Sequence, residues 1–259
     1  MSLVDIAISQ PTAAILIIGD EILSGRTQDT NGNFLAKKLT ELGVNLSEVR
    51  VVPDLAEEIV LAINDLRIKY TYVFTSGGIG PTHDDITADA VARAFNVRIS
   101  INEDAKRILS SNYGDGEKSL NEARLRMARI PHGASLIENP ISKAPGFVLN
   151  NVYVMAGVPS IFKAMVGSII PTLVCGSPLL SISVKFFKSE GDIAKKLEEI
   201  ATKFSDVSVG SYPFSEAGVY GTNVVARHIN KDILKAIQNE LEQLRWGENF
   251  LSKTILKNR

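Results

Sequence analysis

Apolar positions in the first two thirds of the chain form two alternating patterns. Short continuous apolar runs are typical of strands buried on both faces, and positions that repeat every three to four residues are typical of helices. The predicted strands are residues 13–18, 49–52 and 70–74, and the predicted helices are residues 34–42, 55–66 and 88–95. This βαβαβα succession predicts a parallel sheet with right-handed crossovers, and such sheets bind ligands beyond the carboxyl ends of their strands.

The middle of the chain continues with a helix and a hairpin. Residues 103–130 are predicted to be helical with an interruption at 113–116. A strand pair at 147–149 and 152–155 is predicted by the Asn-Asn turn between the two runs, and a helix follows from near Ser160. These elements extend the α/β pattern almost to the end of the first two thirds of the chain.

Beyond residue 176 the pattern changes to alternating strands and amphipathic helices. The predicted order is strand 179–187, helix 192–204, strands 207–211 and 219–229, and helix 232–246. Apolar residues at every second position, as in 180–186, suit an antiparallel sheet covered by helices on one face. We therefore expect an α/β domain over residues 1–176 and a small α+β (βαββα) subdomain over residues 177–259.

Composition and charge narrow the class of partner. The 259-residue chain has a formal net charge of −1, so no overall positive field indicates nucleic acid or an anionic membrane as its partner. No apolar stretch approaches the ~20 residues of a membrane-spanning helix. The single cysteine, Cys175, excludes an internal disulfide framework and indicates a reducing compartment, which leads us to expect a cytoplasmic protein.

The stretch richest in candidate chemistry is residues 75–87, which follow the third predicted strand and precede a helix. Its three glycines let backbone N–H groups approach an anion, and the helix adds the positive end of its dipole. Asp84 and Asp85 would repel a bare phosphate, so a divalent cation between these acids and the phosphate oxygens explains the combination. The simpler alternative is a tight turn in which Asp84 only caps the helix.

Two further loops are predicted to reach the same edge of the sheet. Gly19, Asp20 and Glu21 follow the first strand, and residues 156–160 follow the second strand of the hairpin. The predicted helical region 103–130 also carries a polar, mostly basic face. This face could bind a diphosphate, and the alternative is a face that is only exposed to solvent. Its residues are Lys118, Asn121, Arg124, Arg126 and Arg129.

Several other kinds of site are excluded by missing motifs. The three histidines show no metal-ligand spacing with each other or with Cys175, which argues against zinc. No Gly-x-Gly-x-x-Gly follows the first strand, no Gly-Lys-Ser/Thr ends the glycine run, and no Gly-x-Ser-x-Gly is present. His83 alone is a candidate for proton transfer or phosphate binding, with an incidental loop position as the alternative.

Five motifs together carry a resemblance to a known family. They are residues 19–25, 28–31, 75–89, 144–147 and 157–159, and residues 210–213 extend the resemblance into the second unit. On these residues the sequence resembles the molybdopterin-binding fold family, in the branch of the amino-terminal domain of competence/damage-inducible protein A and the matching domain of eukaryotic bifunctional FAD synthase. Neither a deamidase nor an FAD-forming domain is recognised after these motifs, so we expect a stand-alone domain.

The resemblance implies a three-layer α/β/α sandwich whose rim binds a pterin or a nucleotide diphosphate. In the branch most similar to this sequence, the implied activity is hydrolysis of a nucleotide pyrophosphate such as ADP-ribose or FAD, with a divalent metal and K⁺ as an optional further ion. In the molybdenum-cofactor branch, the implied activity is binding or adenylylation of molybdopterin. The family also implies a homo-oligomer, for which we expect a dimer.

Our hypothesis places Mg²⁺, Mn²⁺ or Co²⁺ between carboxylates and a pyrophosphate on the glycine run, where the ion lowers the pKa of an attacking water. The expected metal ligands are Asp20, Asp84 and Asp85, and the expected catalytic residues are Glu21, Thr82, Asp84 and Asp85. The expected substrate and phosphate ligands are Gly19, Ser24, Asn31, Ser76, Gly77, Gly78, Gly80, Lys143, Gly146, Gly157 and Pro159. The rival hypotheses are a module that binds a pterin without reacting it and a scaffold with a vestigial site.

Overall fold

The first strand, β1 (Thr12–Ile18), has six of its seven residues buried, as its continuous apolar sequence predicts. The computed structural model describes residues 10–216, 218–244 and 250–252. The chain divides into two units, Met1–Gly176 and Ser177–Arg259. The first unit has a six-stranded and a two-stranded sheet with two hydrophobic core clusters, and the second unit has one four-stranded sheet with one core.

The first unit alternates strands and helices along most of its length. After β1, its strands are β2 (Asn45–Val52), β3 (Tyr72–Ser76), β4 (Ile99–Ile101), β5 (Arg129–Pro131), β6 (Ser135–Ile137), β7 (Gly146–Leu149) and β8 (Val152–Met155). Its helices are α1 (Asp20–Leu23), α2 (Asn31–Glu41), α3 (Ala56–Lys69), α4 (Thr87–Ala94), α5 (Glu103–Ser110), α6 (Glu122–Arg126) and α7 (Pro159–Ile169), with 3₁₀ turns at Gly116–Ser119 and Ile170–Thr172.

The main sheet of this unit has the strand order β2-β1-β3-β8-β7-β6. The strands β2, β1, β3 and β8 are parallel to one another, whereas β7 and β6 join antiparallel at one edge. The short strands β4 and β5 pair separately. The prediction of a mostly parallel sheet is therefore confirmed, and the carboxyl ends of four strands lie along one edge of it.

Helices cover both faces of the main sheet. Alternate residues of β1 enter opposite cores, because Leu16 and Ile18 pack on the face covered by α3 and α4. Ile15 and Ile17 pack on the other face, which α2 and α7 cover. The result is the three-layer α/β/α sandwich that the resemblance implied.

The second unit is a small antiparallel sheet with two helices. Its elements are β9 (Leu180–Phe186), α8 (Glu190–Lys203), β10 (Ser208–Glu216), β11 (Val219–His228), α9 (Lys231–Gln243) and β12 (Phe250–Ser252). The sheet order is β10-β11-β9-β12, and alternate residues of β9 pack against α8 and α9. This confirms the predicted βαββα order, to which β12 is an addition. The predicted extension of the last helix to residue 246 lies outside the described residues.

The region 103–130 differs most from its prediction as one interrupted helix. The structure has α5, a 3₁₀ turn, the five-residue α6 and then the strand β5. Ile130 pairs with Ser100 of β4, so tertiary pairing overrides the helical spacing at this end. In the second unit, the strand predicted to end near residue 211 continues to Glu216, because β11 pairs with its full length.

None of the helices within the described ranges is long and apolar enough to cross a lipid bilayer.

A polar network ties the edge strand β2 to the end of α3. Glu48 accepts hydrogen bonds from Arg50 Nη2 at 2.6 Å, from Tyr70 Oη at 2.8 Å and from Lys69 Nζ at 3.1 Å. The hydrogen bonds from Arg50 and then Tyr70 lower the pKa of Glu48 to about 2. Ionised Glu48 therefore stabilises the folded state.

We expect Glu48→Gln to destabilise the fold at neutral pH by about 1 kcal/mol, the order of a well-placed but partly exposed ion pair. The folded-state pKa of about 2 lies below the ordinary value of 4.5, so this stabilisation is complete above pH 4.5 and is lost as the pH falls towards 2. Urea unfolding of both proteins at neutral pH and at about pH 3 measures the change. A difference between the proteins that does not shrink at the lower pH would contradict this role.

Candidate functional site

A cleft of about 370 Å³ opens at the carboxyl ends of the parallel strands. Its walls come from segment 18–21 after β1, from Asp54 after β2, from segment 77–85 after β3 and from segment 156–161 after β8. Residues between 139 and 144, which precede β7, complete the lining together with Met127. The cleft therefore lies where ligands bind in open parallel sheets.

The glycine loop, residues 77–80, forms one wall of this cleft. Gly77 has a φ of +114° and Gly78 a φ of +69°, which are unfavourable for other residues. A Cβ atom at Gly77 would overlap the carbonyl oxygen of Ile18, and one at Gly78 would overlap Thr87 Oγ1. Thr87 fixes the loop further, because its Oγ1 donates to the carbonyl oxygen of Gly77 and its N–H to that of Gly78, both at 3.0 Å.

The glycine loop leaves donors unused. The N–H of Gly77 bonds to the carbonyl oxygen of Met155 at 3.1 Å. In the part of the chain that the structure describes, no acceptor is bonded to the next three N–H groups, those of Gly78, Ile79 and Gly80. Successive free N–H groups in a glycine-containing turn are an anion-binding arrangement.

Four carboxylates line the same cleft, namely those of Glu21, Asp54, Asp84 and Asp85. Burial is the main factor that raises the pKa of Asp54, and the charges of Asp20, Glu21 and Asp84 raise it further. The hydrogen bond from the Asp20 N–H to Asp54 Oδ2, 3.0 Å long, acts in the opposite direction. The raised pKa of Asp54 therefore reflects its burial first and the neighbouring acids second.

The two acids after the glycine loop differ in their surroundings. Asp85 is bound within its own turn, where Oδ2 accepts from the Thr82 N–H at 2.8 Å and from Thr82 Oγ1 at 2.6 Å. The Thr82 hydroxyl and the backbone N–H of Asp84 lower the pKa of the Asp84 carboxyl, and His83 and Arg126 contribute through their charge. The pKa values of Asp84 and Asp54 therefore shift in opposite directions within the same cleft.

The structure brings half of the predicted site residues to the cleft. The predicted residues that line it are Gly19, Glu21, Gly77, Gly78, Gly80, Asp84, Asp85 and Gly157. The predicted residues that do not line it are Asp20, Ser24, Asn31, Ser76, Thr82, Lys143, Gly146 and Pro159. The residues in this second group either have structural roles or are adjacent in sequence to residues that line the cleft.

Buried contacts explain three of the residues outside the lining. Asn31 lies under the loops, where Nδ2 donates to Ser76 Oγ and to the carbonyl oxygen of Gly157, both at 2.8 Å. Ser76 is buried at the end of β3. A Cβ at Gly146 would overlap the carbonyl oxygen of Val154 in the neighbouring strand, so this glycine is required for sheet packing.

Other predicted residues hold or begin local elements. Ser24 caps the carboxyl end of α1, and Pro159 is the first residue of α7. Thr82 holds Asp85 through the two hydrogen bonds described above. The backbone N–H of Asp20 donates to Asp54, which links Asp20 to the cleft through its backbone.

The predicted basic face does not form part of the cleft lining. Arg126 Nε donates to the backbone oxygen of Asp85 at 3.2 Å, and Arg129 forms two hydrogen bonds with the carboxylate of Asp89. Arg124 lies over an aromatic ring, and the side chain of His83 is fully exposed. Among the described residues, no lysine, arginine or histidine lines the cleft.

Asp54 and Asn139 line the cleft but are not among the predicted site residues. For Asp54 a signal exists, since it follows β2 at the same sheet edge as Glu21 and Asp84. For Asn139 no motif indicates a role, because β6 and the loop that follows it have weak sequence patterns. Both residues line the cleft because the tertiary structure brings their loops to it.

Two family models match the chain. Residues 14–174 match the model described as a probable molybdopterin binding domain. Residues 178–248 match the model described as the middle domain of FAD synthase. The two matches divide the chain close to the boundary between the two units of the structure.

Relatives extend the comparison over most of the chain. A protein of Pyrobaculum calidifontis is 34% identical over 212 residues, which are 78% of this chain and 81% of the relative. A probable FAD synthase of Caenorhabditis elegans is 31% identical over 260 residues, covering 91% of this chain and 50% of that protein. The chain therefore spans about half the length of the Caenorhabditis elegans relative.

Among solved structures, the protein CinA of Thermoplasma acidophilum, described as of unknown function, is similar to this chain with a TM-score of 0.60. The two are 34% identical, and the similarity covers 64% of this chain and 99% of the other.

The packing of the glycine loop can be tested with two matched substitutions. Gly78→Ala and Gly25→Ala both place alanine at a left-handed φ, +69° and +73° respectively, which costs about 1 kcal/mol in each case. A Cβ at Gly25 meets open space, whereas one at Gly78 overlaps Thr87 Oγ1. We expect Gly78→Ala to be less stable than Gly25→Ala by a further 1–3 kcal/mol, roughly the cost of overpacking. Urea unfolding measures the difference, and equal stabilities would contradict the described loop packing.

Proposed function

The chain belongs to the family of probable molybdopterin binding domains, as its motifs predicted, and from this premise we propose that it binds a phosphorylated pterin or nucleotide in the cleft. The phosphate would lie against the free N–H groups of Gly78, Ile79 and Gly80. Those three donors are the observation that carries the proposal, because they need an acceptor and lie where α/β sheets bind ligands. The cleft volume of about 370 Å³ suits a small molecule of this class.

Charge balance is the main difficulty for a phosphate in this cleft. Four carboxylates line it, and no described lining residue is basic. A divalent cation bound beside the phosphate would offset this charge, and carboxylate oxygens are suitable ligands for Mg²⁺ or Mn²⁺. We therefore propose that the ligand binds together with a divalent cation.

The carboxylates can hold such a cation only if oxygen atoms of the phosphate complete its coordination. Within the described residues, no group of three or more His, Cys, Asp or Glu side chains is arranged to hold a metal ion. One or two carboxylates combined with phosphate oxygens is a usual coordination for Mg²⁺. Asp84, whose pKa is lowered, and Asp54 are our candidate ligands, since Asp85 is engaged by Thr82 and Asp20 does not line the cleft. When bound, the cation would offset phosphate charge and acidify a coordinated water.

Hydrolysis of a nucleotide pyrophosphate is the second candidate function. The observation that favours it is the pair of acids in one cleft whose pKa values shift in opposite directions, upward for Asp54 and downward for Asp84. In this reaction a water oxygen forms a bond to phosphorus, the phosphoanhydride bond breaks, and the water proton passes to a carboxylate. Similarity to the middle domain of FAD synthase supports FAD as the nucleotide, and ADP-ribose is the second candidate, from the resemblance of the sequence.

Calorimetric titration with molybdopterin, ADP-ribose and FAD, each with and without Mg²⁺, Mn²⁺ or Co²⁺, tests the binding proposal. We expect a ligand of this set to bind more tightly when the divalent ion is present, because the ion offsets the carboxylate charge. Absence of binding by every combination would contradict the proposed function.

Release of AMP from ADP-ribose or FAD separates hydrolysis from simple binding. We expect Asp84→Asn to lower metal-dependent AMP release by at least about 100-fold, because an ionised group in the cleft is lost. Asp115→Asn, an exposed acid remote from the cleft in sequence and absent from its lining, is the matched control. Unfolding curves check that Asp84→Asn folds like the wild type. Unchanged AMP release in this variant would rule out the proposed hydrolytic role of Asp84.

A further inference from the structure

Lys143 has an unfavourable backbone conformation beside the cleft. Its φ is +58°, a region that non-glycine residues rarely adopt. Within the described ranges, the other non-glycine residues at positive φ are Asn96 and Asn150, and asparagine tolerates this region better than lysine. Such strain persists where the surrounding structure enforces it, and it is frequent at functional sites.

Asn139 enforces this conformation from inside the loop. Its side chain is 2% exposed, and Oδ1 accepts hydrogen bonds from the N–H groups of Ile141 at 3.1 Å and Ser142 at 3.2 Å. Its Nδ2 donates to Ser142 Oγ at 2.6 Å and to the carbonyl oxygen of Ala144 at 2.8 Å. The N–H of Lys143 donates to the carbonyl oxygen of Asn139 at 3.1 Å. The backbone on both sides of Lys143 is therefore fixed.

The fixed loop places the backbone of Lys143 between two residues of the wall of an acidic cleft. Asn139, Ser142 and Ala144 all line the cleft, so the stem of Lys143 starts from its wall. In the described part of the structure, Lys143 Nζ has no carboxylate or hydrogen-bond partner. A lysine ammonium on a flexible stem of four carbons suits the binding of a phosphate as a point charge.

The two nearby arginines are held by other groups. The guanidinium of Arg129 is occupied by Asp89, and Arg126 Nε donates to the backbone of the loop at Asp85. Like Lys143, neither arginine is part of the cleft lining, although both adjoin the glycine loop on its other side. Lys143 differs from both in having an ammonium group that is not bound to another residue of the described structure.

We propose that Lys143 is a phosphate-binding residue, and that Asn139 holds its strained backbone so that the ammonium reaches a phosphoryl group of the ligand. This inference rests on the proposed function, because it assigns the cation that helps to balance the charge of a phosphate in the cleft. The residue belongs to the ligand site, and Asn139 is a positioning residue that acts through the loop. The preferred ligand is consequently one with more negative charge than a single phosphate, such as a nucleotide diphosphate.

The test separates strain from charge with three substitutions of Lys143. Lys143→Gly removes both, Lys143→Gln removes the charge and keeps the strained φ, and Lys143→Arg keeps the charge. Asn150→Gly is the matched control, because it relieves a φ of +53° in the β7–β8 turn, away from the cleft lining. Each protein is titrated with ADP-ribose and Mg²⁺ at low and high NaCl, and its urea unfolding midpoint is measured.

We expect Lys143→Gly to unfold at higher urea than the wild type while binding ADP-ribose about tenfold or more weakly, the order of a lost charged hydrogen bond. Lys143→Gln should show the same loss of affinity without the gain in stability, and Lys143→Arg should keep most of the affinity. Salt should weaken wild-type binding more steeply than binding by Lys143→Gln. Asn150→Gly should leave the affinity unchanged, which shows that relief of left-handed strain alone does not impair binding.

Opposite results overturn different parts of the proposal. Unchanged affinity in both Lys143→Gly and Lys143→Gln, with a wild type that binds, would overturn the role of Lys143 and leave the proposed function intact. A lower unfolding midpoint in Lys143→Gly would overturn the assignment of strain to this residue. A wild type that binds neither ADP-ribose nor the other compounds of the calorimetric titration would overturn the proposed function and this inference together.

Discussion

The close approach of Gly77 to the carbonyl oxygen of Ile18 is the constraint on which the cleft depends. It joins the ends of β1 and β3 at a distance that leaves no room for a side chain. Gly157, after β8, packs against Gly77 in the same way, since a Cβ there would lie 3.2 Å from the Cα of Gly77. Three neighbouring strand ends therefore meet through backbone atoms, at the point where the glycine loop begins.

Polar side chains below the loops maintain this arrangement. The amide of Asn31 joins the start of α2 to the ends of β3 and β8 by donating to Ser76 Oγ and to the carbonyl oxygen of Gly157. Thr87, at the start of α4, similarly holds the end of β3 by donating from Oγ1 to the carbonyl oxygen of Gly77. The side chains of Asn31 and Thr87, which hold the loops, are thus buried and are not part of the cleft lining. For this reason the sequence motifs include buried residues that support the loops and lie outside the cleft lining.

The sequence predicts the sheet and the edge at which the cleft lies well, for a physical reason. Buried parallel strands are continuous apolar runs, and polar residues that directly follow them must lie at one edge, so Glu21, Gly77 and Asp84 can be located from local pattern alone. The direction of a side chain is decided by packing, which local pattern does not contain. Ser76 ends β3 with its hydroxyl directed inward to Asn31, and Gly146 is inside a strand. Asn139 reaches the cleft only because β6 and β7 pair, and the helical spacing before Ile130 gives way to pairing with β4.

The two-sided burial of β1 leaves its position along the sheet weakly specified by hydrophobicity. When one face of a strand is exposed to solvent, its hydrophobic pattern fixes the register, because a shift of one residue would bury polar groups and expose apolar ones. In β1 such a slip would exchange one aliphatic side chain for another in both cores, as Ala13 to Ile18 are all apolar and buried. The fit between Ile18 and Gly77 is sensitive to the same slip, because only one alignment places the carbonyl oxygen against the glycine. The contact that shapes the cleft therefore also favours one register of β1 against β3 in the folded sheet.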